Sequence, residues 1–243
     1  MLIDERQQEI MSFLRENKSV NVKTLAQKLY VSEATVRRDL TKMQKIGLLE
    51  RSHGGAILPE SAEEVSIFVR MNKNAKEKEK AVVNALGALP PFKTVFIDSS
   101  STALALAQKM DLAFKTVVTN NLQTALRLSQ KPNVNLLILG GNVQSNNNST
   151  TGSWTARQIE DFSFDLCICS CAAASETACF ERSIEQREIK SVAMKHSKNN
   201  ILIADHTKWE QTATYKIADL SQFDFVVTDI PLPFKNADVN FVY

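Results

Sequence analysis

The sequence predicts a two-part α/β protein: a small basic helical domain closed by a hairpin, then a larger domain on an open, mostly parallel sheet. Three observations predict it. Residues 32–57, SEATVRRDLTKMQKIGLLERSHGGAI, read as a capped basic helix followed by a hairpin. Positive charge gathers there: residues 18–51 hold eight Lys/Arg against three Asp/Glu, while the whole 243-residue chain nets only +2. From residue 92 onward, short apolar strands alternate with helices, the pattern of a parallel sheet covered on both faces.

The overall composition, 44% hydrophobic and 23% charged, suits a globular chain of one or two domains. Charge is unevenly spread. Residues 1–57 carry ten Lys/Arg and seven Asp/Glu, and the remainder nineteen and twenty. A polyanion partner is therefore expected for the first domain alone. The opening MLIDERQQEI places charges where a signal peptide needs an apolar core, and no run approaches membrane-spanning length. The expectation is a cytoplasmic protein with no membrane partner.

In the first domain, residues 1–57, the spacing predicts a helix over 4–16 with Ile10, Phe13 and Leu14 inward, ended by Asn17 and Lys18. Asn21 is a good cap for a second helix, where Val22, Leu25, Ala26 and Leu29 make one helical face. Tyr30 and Val31 make the turn. Ser32 caps the third helix, on which Val36, Leu40 and Met43 form an apolar stripe flanked by Arg37, Arg38, Lys42 and Lys45. Gly47 suits the left-handed position after the last turn. Arg51, Ser52, His53, Gly54 and Gly55 then lie between the apolar runs Leu48-Leu49 and Ala56-Ile57-Leu58, as in a wing. Two helices joined by about three residues, the second capped and basic, make a helix-turn-helix. Its second helix would enter the major groove with its N-terminal residues leading. Ser32, Glu33, Ala34, Thr35, Arg37 and Arg38 are candidates for base edges and nearby phosphates, Lys42 for phosphate, and Arg51 and His53 for backbone or minor groove. A solvated charged face on a docking domain would share the charge, but not the cap, turn and wing together.

Residues 58–75 read as a linker, opening with Pro59 and acidic residues and turning Lys-rich, with Arg70 in it and Lys76 just beyond. A helix is expected from about Asn74 to Leu89, stopped by Pro90-Pro91. The second domain, 76–243, then places strands over 94–97, 116–118, 134–139, 165–169, 201–204 and 225–227. A helix after the first strand turns Leu104, Ala107 and Met110 inward, and another runs to about Ser129. The polar stretch 142–151, with three consecutive Asn, reads as a mobile loop.

Polar residues gather at the carboxyl ends of these strands, where open α/β sheets bind ligands. Asp98, Ser99, Ser100, Ser101 and Thr102 lie between a strand and a helix N-terminus, where hydroxyls and amides can cradle a phosphate. Asn120, Gly140 and Gly141, and the set Asp205, His206, Thr207 and Lys208, end other strands. Lys208 would add a cation, and Asp98 and Asp205 would accept from sugar hydroxyls. Each piece alone has a plainer explanation, as a helix cap, a tight turn or a surface charge; their joint placement favours a site. Cys167, Cys169 and Cys171 alternate along one strand and Cys179 follows. That spacing suits buried free thiols rather than a zinc site, so no metal and no cofactor is expected.

The run ERQQEIMSFL followed by LAQKLYVSEATVRRDLTKMQKIGLLERSHGGA resembles the N-terminal domain of the DeoR family of bacterial transcription regulators. The segments IDSSSTALALA, VVTNNLQTA, LLILGG, TGSWTA, DLCICS, REIKSVAMKHS, ILIADHTKW and VVTD resemble, in this order, that family's sugar-phosphate-sensing domain, related in fold to sugar-phosphate isomerases. The resemblance implies a DNA-binding regulator of carbohydrate metabolism, with repression favoured, acting on double-stranded operator DNA. It implies control by a phosphorylated sugar, and a homo-oligomer, dimer or tetramer, is expected. The family's phosphate loop falls on Ser99, Ser100, Ser101 and Thr102, and its Asp-x-Ser/Thr-Lys motif on Asp205, Thr207 and Lys208.

This chain departs from the family at two places. Ser100 stands where the loop normally has glycine, and SCAAASETACF after the DLCIC strand has none. A side chain where backbone must approach a ligand closes a site. The missing glycines keep open a constitutive DNA-binding protein whose second domain only oligomerises, and the fold's isomerase relatives leave a second alternative, an enzyme using Asp98, Asp165 or Glu176 as base.

Overall fold

In a computed structural model the described residues are 3–45, 48–57 and 66–243. The chain forms two compact units, Met1–Val69 and Arg70–Tyr243. The expectations at Gly47, Leu58 and Pro59 lie outside the described residues.

The N-terminal unit contains α1 (Ile3–Asn17), β1 (Ser19–Asn21), α2 (Val22–Leu29), α3 (Glu33–Lys45), β2 (Glu50–Ser52) and β3 (Gly55–Ile57). Lys18 turns the chain out of α1 at a left-handed φ of 59°. Asn21 caps α2 by accepting from the Thr24 amide at 2.7 Å. Tyr30 closes α2 in the left-handed conformation, its amide bonded back to Ala26 and Gln27. The apolar stripes of the three helices meet in one core of Ile10, Leu14, Leu25, Leu29, Val36, Leu40 and Met43. β1 was not evident in the sequence: a run of three residues is too short to show a period, yet it joins the wing as a third strand, in the order β1-β3-β2. That pairing explains Gly55, where a Cβ would lie 2.1 Å from the Val20 carbonyl oxygen. Gly54, at the hairpin turn, takes φ +83°, which side-chain-bearing residues resist.

The stretch read as a linker is not all irregular. Residues 67–72 form α4 (Ile67–Asn72), and Asn74, at φ 54°, turns the chain into α5 (Ala75–Ala88). Then follow β4 (Thr94–Ile97), α6 (Ser101–Lys109), β5 (Thr116–Thr119), α7 (Leu122–Leu128) and β6 (Asn135–Ile138). The polar stretch 142–151 corrects the expectation of a mobile loop. It is an antiparallel hairpin, β7 (Asn142–Gln144) and β8 (Ser149–Thr151), whose second strand is wholly buried. Thr150 donates to the Leu139 carbonyl and Ser149 accepts from Gln186, so its buried part serves the strand ends. The chain continues through α8 (Ser153–Glu160), β9 (Phe164–Cys169), β10 (Ala173–Ala174), β11 (Ala178–Glu181) and α9 (Ile184–Lys195). It ends with β12 (Ser197–Ile203), β13 (Tyr215–Asp219), β14 (Phe225–Val227) and β15 (Phe241–Val242).

Seven strands pair in the order β15-β14-β12-β9-β4-β5-β6, every pair parallel. Alternation along each strand feeds two cores. Phe96, Val118, Cys167, Cys169 and Leu202 face one side with Ile159 of α8 and Ile189 of α9. Val95, Ile97, Val117, Ile168 and Ile203 face the other with Ala81 and Val82 of α5 and Leu106 of α6. The strand order reverses at β4, which lies between β5 and β9. This is the switch point at which open α/β sheets leave a crevice beyond their carboxyl ends. A second sheet, β10-β11-β13, was not foreseen. The glycine-free SCAAASETACF makes its hairpin without a positive φ, so the missing glycines cause no backbone strain there.

Candidate nucleic-acid interface and strand-end site

The candidate interface is the outer face of α3. Ser32 accepts from the Thr35 amide at 3.2 Å, and the two hydroxyls lie 3.0 Å apart. Arg37 pairs with Glu33 at 2.9 Å, both half-exposed, a weak link that a nucleic acid can replace. Arg38 and Lys42 are exposed beside it, and His53 is exposed at the wing tip. Arg51 has a different place from the one expected. Its guanidinium turns inward, donating to the Gly55 carbonyl at 3.1 Å, the Thr41 hydroxyl at 3.2 Å and the Arg37 carbonyl at 3.4 Å. It therefore fastens the wing to α3. Behind α3, Arg6 meets Asp39 twice, at 2.5 and 3.3 Å, in a buried pair that sequence reading missed. The signal was there: Asp39 falls three residues after Val36, on the apolar stripe itself.

At the carboxyl ends of the sheet, Asp98 is a hub and not a free acceptor. One oxygen accepts from the Ser100 amide at 2.9 Å. The other accepts from the Ser170 amide at 2.9 Å and faces the Lys190 ammonium at 3.0 Å. Lys190, fully buried, also donates to Glu181 and to the Ser170 carbonyl. Burial opposes its charge, but Asp98 and then Glu181 outweigh that and hold its pKa well above the ordinary value. Asp98 was expected to accept from sugar hydroxyls; in the structure its carboxylate ties Ser170, after β9, and Lys190 of α9 to the end of β4.

The four hydroxyls that follow are all buried. Ser99 donates to Gln186 at 2.6 Å, and Gln186 donates on to Ser149 of the hairpin at 2.7 Å. Ser100, at φ −81° and ψ 151°, caps α6 by accepting from the Ala103 amide. An L-residue is at ease in that conformation, so the absence of glycine does not distort the loop. Ser101 and Thr102 are the first residues of α6, and their amides precede its first intrahelical bond. Asn120 donates to the Thr150 carbonyl at 2.8 Å, and Asn121 caps α7 by accepting from Thr124 at 2.7 Å. Gly140 and Gly141 serve α8. The Gly140 carbonyl accepts from Thr155 at 2.8 Å, and a Cβ on Gly141, at φ +152°, would fall 1.9 Å from the Thr155 hydroxyl.

Asp205 is completely buried; one oxygen accepts from Asn74 at 3.3 Å and from Thr207, and the other has no partner. Asn120 Oδ1 and Asn147 Nδ2 are likewise buried without partners. Such orphaned atoms are costly unless a ligand or water completes them. Lys208 is half-buried and lies close enough to lower the pKa of Lys78. Lys78, which sequence reading passed over as one charge in a Lys-rich helix, is 6% exposed. Its pKa is lowered to about 8, first by burial and then by Lys208. The structure thus brings together the start of α6, Asp205, Thr207 and Lys208, adds Lys78 and Asn74, and assigns Asp98 to the scaffold.

His206 sits beside this set, its Nδ1 2.8 Å from Asp229, which raises its pKa. The four cysteines are buried and free, with the sulfurs of Cys167 and Cys169 3.4 Å apart. Burial pushes Cys171 up to about 12. Among the described residues no group of three His, Cys, Asp or Glu could hold a metal, and no helix is long and apolar enough to cross a membrane. The carboxylates an isomerase-like reading would use are placed elsewhere. Asp165 binds the Lys93 and Thr94 amides and Lys198 at the opposite end of the sheet, and Glu176 is exposed on a turn.

A capped basic helix with a wing, followed by a parallel sheet whose strand ends gather buried polar groups, defines a ligand-responsive DNA-binding transcription regulator. Comparison with known proteins agrees in both parts. Residues 6–62 match the DeoR-like helix-turn-helix domain, and residues 73–230 match the DeoR C-terminal sensor domain. The chain belongs to the DeoR family. It is 33% identical over 228 residues to the HTH-type transcriptional regulator GolR of Listeria innocua, covering 93% of this chain and 90% of that one. It is 30% identical to the HTH-type transcriptional repressor CsqR of Escherichia coli, covering 92% and 87%. It is 28% identical to the glycerol-3-phosphate regulon repressor of Escherichia coli, covering 94% and 92%.

Proposed function

We propose that the protein represses genes of carbohydrate metabolism and that a phosphorylated sugar, bound at the strand ends, controls its grip on operator DNA. One observation carries the reading: the buried Lys78 bonds Ser101 at the start of α6 at 3.0 Å, the half-buried Lys208 lies near enough to act on it, and Asp205 has an unpartnered oxygen. A phosphate dianion meets the cations and amides through charge-assisted bonds, and Asp205 accepts from a sugar hydroxyl. Relatives named as repressors, one of a glycerol-3-phosphate regulon, support the same reading. On the DNA side, Ser32, Glu33, Thr35, Arg37 and Arg38 meet the major groove, Lys42 meets phosphate, and His53 meets the backbone at the wing. Arg51 holds the wing in place. One such unit spans too few base pairs for a specific site, so the protein acts as a homo-oligomer on repeated half-sites with centres about 10 bp or a multiple apart.

The experiment is operator binding titrated with pentose, hexose and triose phosphates, for wild type and Lys208→Ala. Wild-type binding should shift with at least one of them. Lys208→Ala should weaken that effector by roughly 1.5–3 kcal/mol, the range for a charged hydrogen bond, and leave ligand-free operator affinity unchanged. If no phosphosugar shifts wild-type binding at millimolar concentration, the second unit serves oligomerisation only.

A further inference from the structure

We propose that the backbone carbonyl oxygen of Arg70 occupies the place of the effector's phosphate, and that phosphate binding by Lys78 and Ser101 displaces it and frees α4. The inference rests on the phosphosugar reading and adds how the site is connected to the rest of the chain.

The donors of the site converge on that one carbonyl. The Lys78 ammonium donates to it and to the Ser101 hydroxyl, the latter at 3.0 Å. The Ser101 hydroxyl in turn donates to the Arg70 carbonyl at 3.3 Å. Arg70 lies in the last turn of α4, and its carbonyl accepts from side chains of α5 and α6. The Arg70 guanidinium adds a second fastening by donating to Asn147 of the hairpin.

A neutral carbonyl is a poor match for these surroundings. Burial and then Lys208, with Arg70 and Lys73, lower the pKa of Lys78, and Asp205 raises it. Lys78 is therefore a buried cation facing an excess of positive charge. A phosphate at the start of α6 supplies the missing anion, reaches the Ser101 and Thr102 amides, and accepts more strongly from Lys78 and Ser101 than a carbonyl does. The Ser101 hydroxyl has one proton to give, so a phosphate that accepts it takes it from the Arg70 carbonyl.

Displacement has a route along the chain. Helix α4 crosses the boundary between the compact units, which falls between Val69 and Arg70. Phe68 and Val69 pack on the N-terminal core. A ligand that takes the donors from Arg70 changes the tether of the segment from which those two residues project. Coupling then arises because the phosphate binds the tethered and untethered states with different affinity.

The test is hydrogen exchange on the full-length protein with inorganic phosphate as probe, against chloride at matched ionic strength. Wild type should show slower exchange at residues 101–103 and faster exchange at residues 70–74 as phosphate is added. Ser101→Ala removes two of the bonds without opening a large cavity, and Lys78→Met removes the cation. Each should weaken phosphate roughly 10- to 100-fold, the range for losing a charge-assisted bond, and should speed exchange at 70–74 without phosphate. If Lys78→Met does not fold, Lys78→Arg and Ser101→Ala carry the test. Protection at 101–103 with no change at 70–74 overturns the displacement and leaves the phosphosugar reading standing. No protection at 101–103 overturns the displacement too, and the phosphosugar reading with it if the operator titration is also flat.

Discussion

Asp98→Asn separates a scaffold residue from a ligand-binding one. Asp98 and Glu181 face the buried Lys190 from two sides, so the substitution leaves the ammonium with one carboxylate. Removing one partner of a buried pair costs about 3–5 kcal/mol. The amide has one acceptor oxygen where the carboxylate had two, so either the Ser100 or the Ser170 amide also loses its partner, a penalty already within that range. For a unit spanning Arg70–Tyr243, each kcal/mol moves the melting temperature by about 2–4 °C, giving a drop of about 6–20 °C. The chain's two tryptophans, Trp154 and Trp209, both lie in this unit, so tryptophan fluorescence during heating reports on it and not on the DNA-binding unit. Lys190→Met should cost more than Asp98→Asn, because it leaves two buried carboxylates facing each other. If Asp98→Asn melts within about 2 °C of wild type but no longer responds to phosphosugars, Asp98 is a ligand-binding residue and the hub assignment is wrong.

Three further outcomes are expected. Arg37→Ala or Arg38→Ala should cost about 1–3 kcal/mol in operator affinity, whereas Lys42→Ala should weaken all DNA sequences alike and reduce the salt slope by about one; operator binding at wild-type strength by both arginine variants would show that α3 is not the reading helix. Arg51→Ala should lower the stability of the N-terminal unit by about 1–2 kcal/mol in denaturant melts followed by circular dichroism. Arg51→Lys should not restore it, because one ammonium cannot span Gly55, Thr41 and Arg37 together. His206 is held above its ordinary pKa of 6.5 by Asp229. Its contribution to stability is therefore full below that value and is lost as pH rises through the raised one. Denaturation midpoints measured between about pH 5.5 and pH 9 should show that fall in wild type and a flatter profile in His206→Gln.

Much of the architecture was legible because local chemistry and global fold agree. The stripe Val36, Leu40 and Met43 has one helical period and is buried as read. Asn21, Ser32 and Ser100 cap helices because short polar side chains reach the first amides wherever a helix begins. The strands at 94–97 and 164–169 alternate between two cores, so their apolar runs revealed a sheet covered on both faces. The basic surface of α3 needed no tertiary information, since its charges project from one helix.

Only the tertiary structure decided which polar groups are free. Asp98 and Asp205 look alike at their strand ends, but Lys190, 92 positions beyond Asp98 in the chain, reaches the first, while the second keeps an orphaned oxygen. Arg51 looked like a wing contact until Gly55 and Thr41 came within reach of its guanidinium. The stretch 142–151 looked like a mobile loop because the burial of Asn147, Ser149 and Thr150 depends on Asn120 and Asn121, between β5 and α7, and on Gln186 of α9, which no local window contains. Lys78 was one lysine among several in its helix, and only the approach of α4 and α6 made it a buried cation. Periodicity and capping act over a few residues, so the sequence states them directly. The pairing of buried charges is set by which strands become neighbours, and that is decided by the packing of the whole sheet.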